Sequence, residues 1–223
     1  MTTVFYKRIS KIGLAIIALF FVLTGGYAYA IKTAEIVPVF RSYYFLVSTS
    51  THIQASTQQT LLSGGAGYPL EKDGDIFVTI AVYSSENSAR RAQGNLSEET
   101  QIIELAVDKL YFKGIKKKRT AKAIISAFSC LDDCIEVLEG EIVRLDDGAT
   151  QNSSKRVLRT LSRQFSFLSQ RYEETLPAFS TVFMNANAQI ERISSGIVYA
   201  SKLRYLLCDL CFSFVKLGEE FSL

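Results

Sequence analysis

Cys130 and Cys134 stand four residues apart, and Cys208 and Cys211 three apart, so each pair shares one face if its segment is helical. Two such pairs brought together offer a metal ion four thiolates. Zinc sites built from two cysteine pairs, however, sit on knuckle turns rather than in mid-helix. In an oxidising compartment the same residues can form disulfides. Partners one turn apart on a regular helix strain the bridge, so a bridge between the two pairs is the better geometry. The plainest reading is four reduced thiols packed as small apolar groups.

The remaining titratable residues offer little catalytic chemistry. The sole histidine, His52, stands beside Thr51 at the start of a helical segment, where it reads as a surface or capping residue. Asp132 with Asp133 reads as a solvated helix face, and Asp146 with Asp147 as a helix end. Lys116-Lys117-Lys118-Arg119 is a basic run that could touch anionic lipid heads or an anionic wall polymer, although charge runs usually face water. The chain contains no Gly-x-Ser-x-Gly elbow, phosphate loop or paired-histidine motif. We expect a protein without catalysis and without a cofactor.

The elements that would position these groups follow from pattern. The chain has 223 residues, 48% hydrophobic and 21% charged, which is globular or membrane-attached rather than disordered. A net formal charge of +3 is too slight to announce a nucleic-acid partner. From Ile12 to Ile31 there is no charged side chain, and about 20 such residues cross a hydrocarbon core. Lys7, Arg8 and Lys11 precede the run, which puts residues 1–11 in the cytoplasm and the rest outside. A cleaved signal peptide is the competing reading, because a glycine pair and Ala28-x-Ala30 resemble a peptidase site. Either way the bulk of the chain lies across the membrane. Residues 32–42, with Pro38 and no helical period, read as an extended tether.

Residues 43–96 read as a strand and a helix written twice. Tyr43 to Ser48 is followed by a polar helix ending at Leu61-Leu62 and the turn Gly67-Tyr68-Pro69. Ile76 to Tyr83 is followed by a helix opening near Ser84-Ser85 and reaching Leu96. Lys72-Asp73-Gly74-Asp75 is hairpin turn chemistry. Within Ile102 to Phe112 lies either a closing strand or a continuation of the helix. Period-two alternation places Ile76, Val78, Ile80 and Val82 on an aliphatic face under helices, and leaves an aromatic and small-polar face open. The expected fold is therefore α+β, a ferredoxin-like βαββαβ layer over residues 43–114.

Residues 115–223 change period. Ile124, Phe128, Leu131, Ile135, Leu138, Ile142 and Leu145 recur at spacings of four and three, as do Leu158, Leu161, Phe165, Leu168 and Tyr172. A third seam runs Ile190, Ile193, Ile197, Ala200, Leu203, Leu207, Leu210 and Phe214. With breaks at Asp146-Asp147-Gly148 and Pro177, these predict an antiparallel hairpin or three-helix bundle. Such seams can also pair with a partner's helices or with a second copy.

Ile80-Ala81-Val82-Tyr83, with Ala89 and Leu96 after it, resembles the second half of a SPOR domain, whose consensus reads Val-Gly-x-Phe, then Ala, then Leu. Phe45-Leu46-Val47-Ser48, Ala55, Leu62 and Gly67-Tyr68-Pro69 are similar to the first half. The family's glutamine falls at Leu46, and its glycines fall at Ser48 and Ala81. The resemblance covers about a third of the chain, roughly residues 43–112. It implies a membrane-anchored, single-pass protein that binds peptidoglycan glycan strands and gathers at septa in cell division or sporulation. It places glycan contacts on the open sheet face, at Tyr44, Leu46, Ser48, Phe77, Thr79, Ala81 and Tyr83. The alternative from another class is a non-catalytic envelope scaffold acting through its C-terminal coiled-coil helices.

Overall fold

The computed structural model describes residues 34–49, 53–96, 99–113 and 118–221. The apolar run 12–31, residues 1–11 before it, His52, Lys116 and Lys117 lie outside the described residues. Among the described residues no helix is long and apolar enough to cross a membrane.

The first half runs β1 (Ala34–Ser48), α1 (Ile53–Leu62), β2 (Tyr68–Lys72), β3 (Asp75–Tyr83), α2 (Glu86–Gly94) and β4 (Thr100–Lys113). The four strands form one antiparallel sheet in the order β2-β3-β1-β4. Four helices follow: α3 (Lys118–Asp146), α4 (Gln151–Tyr172), α5 (Pro177–Ser195) and α6 (Ala200–Phe221). The protein is thus α+β, with a strand where residues 102–112 had left helix or strand open.

Local chemistry accounts for the main turns. Asp73 and Gly74 take φ of 55° and 89° while Lys72 pairs with Asp75, the two positive φ values that a tight hairpin turn requires. The expected tether is instead strand from Ala34 onward, because β4 is long enough to pair it: Ala34 lies opposite Lys113 and Pro38 opposite Lys109. Pro38, which has no N–H to give, sits where the ladder becomes irregular, between Pro38 and Arg41.

One residue upsets the period-two expectation. Leu46 lies opposite Ala81, but the next residue, Val47, lies opposite Thr79. Ile80 is the extra residue of a β-bulge, and its carbonyl accepts from the Ala66 N–H at 2.7 Å. A bulge shifts every side chain beyond it to the other face. Val82 pairs with Phe45 toward the C-terminal helices, whereas Val78 pairs with Ser48 on the other face and Ile76 is 51% exposed. The uniform aliphatic face is therefore not formed.

Both faces of the sheet are covered. On one, α1 packs on β3, and α2 packs on β1, β3 and β4, burying Leu46, Val78, Ala81 and Ala89 together with Ser56 and Thr60 of α1. On the other, α6 lies across β2, β3 and β4. Tyr43, Phe45, Val47, Leu70, Val107 and Leu110 join one continuous cluster with the apolar stripes of α3 to α6. Aromatic rings carry the contact through the layers. Tyr43 meets Phe214 edge-on at 5.5 Å, Phe214 meets Phe128 at 4.8 Å, and Phe128 meets Phe179 at 4.9 Å. Arg41 of β1 adds a bidentate pair with Asp132 of α3.

The expected third helix is two. Its seam breaks at Gly196–Tyr199, where both backbone groups of Val198 are held by the Gln151 side-chain amide, N–H to Oε1 at 2.8 Å and Nε2 to the carbonyl at 2.9 Å. Val198 itself is buried, so tertiary contact replaces the helical bonds that the break gives up. Ile197, a seam residue on paper, is 57% exposed. The break at Pro177 is in fact the first residue of α5, where a proline loses no hydrogen bond. The three seams are otherwise spent inside this chain: Ile124 to Ile142, Leu158 to Tyr172, and Leu203 to Phe214 are all core.

Gly218 marks a close approach of α6 to the sheet, since a Cβ there would lie 2.4 Å from Val107 Cγ2. Gly218→Ala should lower stability by about 1–3 kcal/mol through overpacking, partly offset by alanine's helix propensity of about 1 kcal/mol. Adding Val107→Ala should recover part of that loss in urea or thermal unfolding. A single variant as stable as the parent would contradict this packing.

Candidate functional site

Past Tyr68, the partner of Thr79, β2 has no residues left to pair with β3. The last residues of β3 therefore have a free edge, and the glycine-rich loop after α1 turns beneath it. Gly65 is confined there, because a Cβ would lie 2.6 Å from Thr60 Cγ2 and 3.2 Å from the Ile80 carbonyl. Arg204 of α6 reaches this loop, donating from Nη1 to the Gly64 carbonyl at 2.7 Å and from Nη2 to Asp146 Oδ2 at 2.5 Å. One guanidinium thus ties the loop, the C-terminal end of α3 and α6 together.

Beside this junction lies a cleft of about 250 Å³. Tyr83 ends β3 and Ser84 follows it, Ser88 comes from α2, Glu139, Ile142, Val143 and Asp146 from one face of α3, and Arg204 and Leu207 from α6. The Ser84 hydroxyl donates to Glu139 Oε2 at 3.3 Å. Burial pushes the Glu139 carboxyl above the usual glutamate range; the Ser84 bond opposes this, and the neighbouring acids Glu136 and Asp132 reinforce it. Burial likewise raises the Tyr83 phenol, against the pull of Arg204. A mixed apolar lining with a few convergent polar groups is what small-ligand sites share.

The seven residues expected on an open face are not on one. Leu46, Ser48, Thr79 and Ala81 are buried, and Phe77 packs against the main core. The bulge splits them: Leu46, Ala81 and Ser48 turn toward α1 and α2, whereas Thr79, opposite Val47, and Phe77, opposite Leu70, turn toward the C-terminal helices. The Thr79 hydroxyl has no hydrogen-bond partner there. Tyr44 stays half-exposed near Glu104 and Glu86. Of the seven, Ala81 and Tyr83 line the cleft. Arg204, Glu139 and Asp146 were not singled out for binding from sequence, since no pattern ties an arginine on the last helix to a strand over a hundred residues earlier.

The cysteines do not bridge. All four are free, with Cys134, Cys208 and Cys211 buried and Cys130 half-buried. Among the described residues no group of three or more His, Cys, Asp or Glu side chains could hold a metal ion. Burial pushes the Cys134 thiol up to about 12 and drives Cys208 and Cys211 upward as well, so they pack as apolar groups.

Of the positions that carried the family resemblance, Ala89 is buried, but Ala55 is exposed, Leu62 is 88% exposed and Leu96 lies beyond the end of α2. No protein-family model, curated protein or solved structure matches the chain.

Two measurements check this chemistry. Glu139 holds its proton more tightly folded than unfolded, so its contribution to stability falls as pH rises above the ordinary glutamate range. Glu139→Gln should raise the melting temperature at neutral pH and lose that advantage near pH 4. In thiol titration with an aromatic disulfide, no more than Cys130 should react in the native chain, and alkylation of the other three should wait for unfolding.

Proposed function

We propose that this chain is a non-catalytic envelope protein that holds a sugar unit of a glycan strand in the Tyr83 cleft. The observation that carries the reading is the balance of groups there. Two carboxylates, Glu139 and Asp146, line the cleft with one guanidinium, Arg204, that is already shared between Gly64 and Asp146, which disfavours an anion such as phosphate. Serine, tyrosine and carboxylate oxygens suit a neutral polyhydroxyl ligand, which both donates and accepts. Ile142, Val143 and the Tyr83 ring offer apolar area to the flat face of a pyranose.

The SPOR resemblance agrees with this reading in architecture, since the βαββαβ order with strands β2-β3-β1-β4 is the ferredoxin-like layer it implies. It differs in where the ligand sits. The sheet face is closed, and the strand end takes its place. The charge-free run 12–31 anchors the chain in this proposal, with residues 34 onward outside the cytoplasm and the ligand drawn from peptidoglycan. The alternative of a scaffold acting through helical seams is less well supported, because those seams are buried in the chain's own core.

Full-length protein in detergent should co-sediment with amidase-treated sacculi, and Tyr83→Ala should weaken retention about tenfold, the equivalent of 1.4 kcal/mol. A fluorescent fusion should enrich at septa. No sedimentation, or retention untouched by Tyr83→Ala and Arg204→Gln, would remove the cleft as the binding site. Release of reducing ends from the glycan would overturn the non-catalytic part.

A further inference from the structure

Between Asp108 and Asp132 the chain carries seven basic residues and no acidic one, more positive charge than the +3 of the whole protein. Of these, Lys109 and Lys113 lie on the stretch of β4 that pairs with the start of β1, where Glu35, opposite Phe112, is an acid between them. Ala34, the first residue of β1, lies opposite Lys113, the last residue of β4, and Pro38 lies opposite Lys109. Lys118 and Arg119 open α3 a few residues later, and Arg119 and Lys122 are exposed. The charge-free run ends at Ile31, just before Ala34. Three residues of chain span at most roughly 10 Å, so the basic end stands beside the point where that run would leave a membrane.

The helix that three of these residues open adds to the first observation. Lys118, Arg119 and Lys122 occupy the start of α3, whose first turn contains no acid. A helix presents positive partial charge at its N-terminus and is stabilised there by anions, so this arrangement is the unfavourable one. Negative charge from outside the chain would relieve it.

We infer that this end of the fold rests on anionic phospholipid headgroups and sets the orientation of the domain on the bilayer. The inference depends on the anchor in the proposed function but not on the cleft. Cations close to an anionic leaflet are attracted individually, and the attraction is screened by salt. Held this way, the domain would have the end built from Ala34 and Lys113 facing the membrane.

The test uses the full chain reconstituted into phosphatidylcholine vesicles, with and without about one-third phosphatidylglycerol. With anionic lipid, tryptic cleavage at Arg119 and Lys122 should slow about tenfold or more, and high salt or the double variant Lys109→Glu, Lys113→Glu, which keeps both cleavage sites, should restore it. Alkaline carbonate washing of the same vesicles reads the anchor alone. A chain that resists washing but is cleaved equally fast in both vesicle types overturns this inference and leaves the anchor standing. A chain that washes off overturns both. Unchanged circular dichroism of the double variant would show that its loss of protection is not unfolding.

Discussion

Phe214 touches the sheet through Tyr43 and the helical layer through Phe128, and that double contact is what makes one core of two unlike halves. All three rings are almost fully buried. Full burial of a Phe side chain is worth about 1.5–3 kcal/mol, with about 0.5–1.5 kcal/mol more for a well-set aromatic pair. The close approach of Gly218 to Val107 and the Arg41–Asp132 pair hold the same surfaces in register. Without α6 the face bearing Tyr43, Phe45, Val47 and Leu110 would be a large apolar surface in water, which soluble proteins rarely tolerate. Closure of that face is a condition of the fold rather than a decoration on it.

The cleft is a consequence of how the closure is made. α6 spans the sheet, but β2 is too short to line the last residues of β3, so the strand end faces α3 and α6 across a gap that neither fills. Arg204 props that gap by bonding the glycine loop on one side and Asp146 on the other. Glu139 sits deep enough to be desolvated, yet it faces Ser84 and opens to the same space. Ser84 and Glu139 bond each other and Asp146 bonds Arg204, and these oxygens keep hydrogen-bonding capacity beyond those bonds, which is the ground of the proposed hydroxyl-rich ligand.

Much of the fold was legible because local patterns were strong. The hairpin at Asp73-Gly74, the helix stop at Gly148, and the heptad stripes of α3 and α4 are all where their residues put them. The failures were non-local. The bulge at Ile80 is paid out by a hydrogen bond from Ala66, which periodicity along β3 cannot register. The break before α6 depends on Gln151, dozens of residues away. The extension of β1 back to Ala34 exists because β4 reaches back to pair it. The site was partly legible for the same reason: Tyr83 belongs to a readable strand, whereas Glu139, Asp146 and Arg204 acquire meaning only once α3 and α6 are packed.

The two cores on either side of the sheet are unequal, and the inequality bears on where the molecule can give. Toward α6 the sheet meets phenyl rings and leucines. Toward α1 it meets Ser56 and Thr60, while Leu61 and Leu62 of that helix face solvent. A helix held through small and polar side chains gains little from burial, so α1 and the loop after it should open at lower free energy than the layers joined by Phe214. That loop carries Gly64, the carbonyl that Arg204 grips at the cleft. The cleft itself is lined by α3, α6, the end of β3 and Ser88 of α2, so the compliant loop reaches it only through the Arg204 contact, and its opening need not disturb the packing that seals the sheet.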